Sequence, residues 1–74
     1  MENDLGMFGV TADRAKYVGS IWKSNNDSAV RFEIIDITPN YRVLFAEITT
    51  AFRACVETTT TATWNRTMTL VRLS

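Results

Sequence analysis

Apolar residues recur through the middle of the chain at a spacing that fits a helix. From Thr38 to Glu57, a rotation of about 100° per residue gathers Tyr41, Leu44, Phe45, Ile48, Ala51, Phe52, Cys55 and Val56 into one arc of roughly 140°. Arg42, Thr49, Arg53 and Glu57 fall opposite. Thr38 offers a capping hydroxyl, and Pro39 suits the first helical position, where its missing N–H has no partner to lose. The spacing predicts an amphipathic helix over 39–57 with Phe52 as a structural residue near the centre of its buried stripe.

Other segments alternate. Ala29 to Ile37 sets Val30, Phe32 and Ile34 against Arg31 and Glu33 and is rich in β-branched residues, which predicts a strand. Ile35 and Ile37 make its second face partly apolar. Residues 24–28 are turn-formers. Residues 11–23 fit either a helix capped near Thr11 to Asp13, or a strand from Lys16 to Lys23 paired with 29–37. Gly19 in the interior and the Tyr-Val and Ile-Trp pairs favour the hairpin. Beyond the helix, Thr58–Trp64 and Thr67–Leu73 read as strands on either side of Asn65-Arg66. Threonine loses rotamer freedom in a helix and packs well on a pleated surface. The expected fold is α+β: a small, mostly antiparallel sheet with one main helix, in the order ββαββ, with αβαβ(β) as the alternative. One domain is expected over residues 1–74, with 1–10 as a flexible or extended arm.

One helix covers one face of such a sheet. The uncovered face or an open edge, carrying Trp22, Ile35, Ile37, Trp64 and Arg66, is the expected partner-binding surface, with Trp64 functional rather than core. Burying about 4,500 Å² of apolar surface contributes on the order of 110 kcal/mol. Ordering 74 residues at about 1.5 kcal/mol each costs about as much. Self-association is the natural further source of stability, so a homo-oligomer is expected.

Charge changes the picture by what it lacks. Eight basic and eight acidic residues give zero net charge, and they are interspersed. A nucleic-acid binder needs a basic stripe and a membrane-surface helix a Lys/Arg-rich polar face. Both are disfavoured. The sequence shows neither a signal peptide nor an apolar run long enough to cross a membrane. Cys55, alone and on the apolar side of the expected helix, reads as a buried reduced thiol, which suggests a cytoplasmic protein. The Asn26-Asp27-Ser28 and Asn65-Arg66-Thr67 glycosylation patterns read as coincidental matches.

Histidine is absent, which removes imidazole-based nucleophilic pairs and metal sites. Gly6, Gly9 and Gly19 form no phosphate-cradling loop. The carboxylate pairs Glu33 with Asp36 and Glu47 with Glu57 read as surface charge. No catalytic, cofactor or metal residue is expected, and no small-molecule substrate. The function these features suggest is a non-catalytic protein-interaction module: a small adaptor, inhibitor or assembly subunit, of viral or mobile-element type, pairing with itself or with another protein. The alternative is single-stranded nucleic-acid binding by stacking on Tyr17, Trp22 and Trp64.

Overall fold

The computed structural model describes residues 10–48 and 55–74. Its elements are α1 (Val10–Tyr17), β1 (Ile21–Ser24), β2 (Arg31–Ile37), β3 (Arg42–Ile48), β4 (Glu57–Thr60), α2 (Thr61–Thr67) and β5 (Met68–Arg72). The strands form one antiparallel sheet in the order β4-β3-β2-β1-β5. The fold is α+β, but the order of elements is not ββαββ. The expected 39–57 helix is replaced by a turn and β3, and its part over residues 49–54, including Phe52, lies outside the described residues. The expected arm over residues 1–10 also lies outside them, except for Val10, which opens α1.

The reason for the difference lies in residues 38–42. Tyr41 N–H donates to the Thr38 carbonyl at 3.1 Å, and Thr38 N–H to the Arg42 carbonyl at 2.8 Å. Tyr41 itself sits in the left-handed region at φ 62°. This is a three-residue hairpin loop, a type I turn followed by one left-handed residue. Pro39 occupies the second position of the turn, where its fixed φ fits as well as it would at the start of a helix. From there Val43 and Phe45 point to the core while Arg42 and Leu44 point away, the period of a strand.

Both readings of residues 11–23 hold for part of that segment. α1 places Asp13 and Tyr17, four residues apart, on its buried side. It stops at Gly19, whose φ of 88° suits a helix C-terminus. An added Cβ there would sit 3.0 Å from Cβ of Ser74. β1 then begins at Ile21 and pairs with β2, so a β1–β2 hairpin exists but is shorter than expected.

In β2 the register with β3 shifts between Ile34 and Asp36, leaving Ile35 as the extra residue of a bulge. The bulge returns Ile37 to the core face beside Ile34, and both are fully buried. Simple alternation would have put Ile37 on the opposite face.

Thr60 ends β4 and caps α2. Its hydroxyl accepts from Thr63 N–H at 3.2 Å, a strong helix-start signal inside a run expected to be strand. A helix of 7 residues rises about 10 Å, whereas four strand spacings in a flat sheet span about 19 Å. Because α2 links the two edge strands and touches β3, β4 and β5, the sheet must curl so that its edges approach. Trp64 fills the concavity. Its ring lies 5.0 Å from that of Phe45 and 5.5 Å from that of Trp22, with Tyr17 5.7 Å beyond.

Candidate functional site

Three of the five residues expected to meet a partner are core. Trp22, Ile37 and Trp64 are fully buried, because α2 folds over the face that a one-helix architecture would have left open. Ile35 is half-buried and Arg66 exposed. The stacking platforms of the nucleic-acid alternative, Tyr17, Trp22 and Trp64, are likewise sealed in the core. Cys55 is exposed rather than buried, since the helix that would have buried it does not form at that position.

Among the described residues two features stand out at the surface, and they meet at Tyr41. The first is a groove of about 650 Å³ between α1 and the β2–β3 turn, lined by Arg14, Ala15, Asp36, Ile37, Thr38, Pro39 and Tyr41. Tyr41 is 50% exposed there. Arg14 Nε donates to Asp36 Oδ1 at 2.6 Å. That guanidinium, aided by the Ile37 N–H at 2.8 Å, holds the Asp36 carboxyl below its usual range. Asp36 is therefore a paired carboxylate at neutral pH, a poor proton carrier.

The second feature is the outer edge of β4. Antiparallel ladders alternate between residues whose N–H and C=O face one neighbour and residues whose groups face the other. Thr61 N–H donates to the Tyr41 carbonyl at 3.0 Å, and Thr38 N–H to the Arg42 carbonyl. Carried along the Arg42↔Thr60, Val43↔Thr59, Leu44↔Thr58 register, both bonds turn the backbone of Thr59 and Glu57 toward β3 and that of Thr58 away from it. Among the described residues no strand lies beyond β4, so the Thr58 N–H and C=O face outward. Glu57, Thr58 and Thr60 are exposed, and so is Val56 beside them. Arg42 reaches over the outer face to donate to Thr58 Oγ1 at 3.3 Å.

The strand expected over Thr58–Trp64 contains most of this edge, Thr58–Thr60, but nothing in the sequence ranks it as a binding surface. The groove went unseen because its residues come from α1 and from a turn, both of which had been read as other elements. Among the described residues no group of His, Cys, Asp and Glu is placed to hold a metal ion, and no helix is long and apolar enough to cross a membrane. Comparison of the chain with protein-family models, with curated proteins and with solved structures finds no match.

Proposed function

We propose that this protein is a non-catalytic protein-interaction module, an adaptor, inhibitor or assembly subunit, whose working surface is the outer edge of β4. The observation that carries the reading is the outward-facing backbone of Thr58 on a regular, exposed edge strand. An edge of this kind recruits an extended segment of another chain by main-chain hydrogen bonds, with side chains selecting the partner. The absence of histidine and the pairing of Asp36 with Arg14 support a role without catalysis. The exposed, unpaired Cys55 fits the reducing conditions of the cytoplasm.

The test is Thr58→Pro. Proline removes the outward N–H and is tolerated on an edge strand whose N–H faces solvent. The variant keeps the melting profile and tryptophan emission of the wild type but loses the proteins that the wild type retains from its native source. Retention of the same proteins by a folded Thr58→Pro variant would place the interaction elsewhere.

A further inference from the structure

We infer that the partner of the β4 edge is the β4 edge of a second copy, joined about a two-fold axis with Thr58 opposite Thr58. The inference rests on the edge reading above and adds the identity and register of the partner.

It follows from strand direction. In the order β4-β3-β2-β1-β5 with every pair antiparallel, the two edge strands β4 and β5 run the same way. Head-to-tail addition that keeps the core faces of neighbouring sheets on one side would therefore pair β4 with β5 in parallel, the less stable ladder. A two-fold axis normal to the sheet pairs like edges antiparallel and keeps the faces matched, and such isologous contacts are the commonest between identical chains.

Of the two like-edge pairings, β4 with β4 is the better. The register of β5 with β1 runs Trp22↔Leu70 and then Ile21↔Arg72, so Val71 is an extra residue and the strand carries a bulge. A bulge is a device that blunts an edge. β4 pairs with β3 without interruption, and Glu57–Thr60 contains no Lys, Arg or Pro.

The register follows from charge and length. Residues facing outward must oppose residues facing outward, so Thr58 meets Val56, Thr58 or Thr60. Meeting Val56 would set Glu57 against Glu57, a like-charge pair. Meeting Thr60 would run the ladder into α2, which begins at Thr61. The centred register sets Thr58 against Thr58, Glu57 against Thr59 and Val56 against Thr60. It pairs threonines, covers the exposed Val56 and sets no like charges of β4 against each other.

The experiment combines light scattering with cysteine cross-linking in a Cys55→Ser background. The wild type forms a two-chain species that does not grow further with concentration. Thr58→Cys forms an intermolecular disulfide under mild oxidation, since directly opposed residues with Cα atoms about 5.5 Å apart are within bridging range. Glu57→Cys, which opposes Thr59, bridges at least tenfold less. Thr58→Lys, which sets two ammonium groups face to face, weakens the dimer at least tenfold, while its melting curve matches that of the wild type in solution dilute enough for both to be monomeric.

A wild type that is monomeric at about 100 μM overturns the inference. So does an assembly that lengthens with concentration, equal bridging at 57 and 58, or a dimer indifferent to Thr58→Lys. If the chain is monomeric yet Thr58→Pro abolishes capture of other proteins, the edge reading stands and self-pairing falls. If Thr58→Pro alters neither dimer nor capture, both fall.

Discussion

Trp64 shows how one side chain can be placed by its neighbours rather than by its local sequence. Flanked by Thr63 and Asn65, it looks like a surface aromatic, yet it sits at the centre of a ring cluster with Trp22, Phe45 and Phe32. Trp64→Ala therefore costs about 3–5 kcal/mol through lost transfer energy and a cavity, enough to unfold most of a small domain, and chemical denaturation will show it. The two tryptophans also differ in how their indole N–H groups are served. Trp22 Nε1 donates to Ser20 Oγ at 2.7 Å, and that hydroxyl donates to the Tyr17 carbonyl at 2.5 Å. Trp64 Nε1 is buried with no acceptor among the described residues. A buried donor without a partner carries its desolvation penalty in the native state. Replacing each indole by phenylalanine separates the cases: Trp22→Phe forfeits a satisfied bond, and Trp64→Phe removes an unsatisfied one. Trp22→Phe is the more destabilising by about 1 kcal/mol, measured by urea unfolding of the two variants side by side.

At the scale of elements, the turn after β2 holds the clearest local cost. A left-handed backbone at a residue bearing a Cβ costs roughly 1–2 kcal/mol, and Tyr41 bears it at φ 62° where glycine or asparagine is the usual occupant. Tyr41→Asn raises thermal stability by about 1 kcal/mol; a drop in the melting midpoint would mean that the ring's packing in the groove outweighs the strain. The Arg14–Asp36 contact joins α1 to β2 and carries a pH dependence of definite sign. The folded-state pKa of Asp36 is lowered, first by its bond from Arg14, so the pair's contribution is fully present above the unfolded value of about 3.9. It is lost as pH falls through the lower folded value. Both groups are well exposed, so the effect is small and weakened by salt. Asp36→Asn leaves the protein less stable than wild type at pH 7, and the two converge in strong acid; a gap that stays constant down to pH 2 would contradict this.

The same elements show where the sequence is readable. β2 at Arg31–Ile37 and β5 at Met68–Arg72 fall inside the segments expected to be strands, because each alternates with β-branched residues. β3 was hidden because both of its faces carry apolar residues, Val43 and Phe45 on one and Leu44, Ala46 and Ile48 on the other. Such a strand satisfies a 3.6-residue period as easily as a period of two. α2 was hidden by composition, since its helix start rests on a single hydroxyl of Thr60 in a run whose bulk statistics favour strand. The bulge at Ile35 left no signal in the residues themselves. Trp22, Ile37 and Trp64 were expected at a surface for a reason of scale: with one helix counted instead of two, one sheet face seemed bare, and the largest aromatics were assigned to it.

For the whole molecule, the sheet curls around Trp64 and is tied across its concave side by α2. That arrangement places Tyr17, Trp22, Phe45 and Trp64 in the core, and the proposed association uses main-chain groups at a sheet edge in place of an apolar face. Among the described residues, the large hydrophobics that stay exposed are Val56, Val71 and Leu73, at or beside the two edge strands, and Tyr41 at the groove. The proposed association therefore runs through an edge, with β4 regular and β5 bulged. The most direct measurement of that claim is the amide hydrogen exchange of Thr58, followed by NMR at low and at high protein concentration. In dilute solution the Thr58 N–H exchanges nearly as fast as an unstructured amide while Val43 and Phe45 stay protected, and at high concentration it becomes protected together with its neighbours along the edge. Protection of Thr58 that is already complete in dilute solution, or that never appears at any concentration or with any captured partner, would contradict the account.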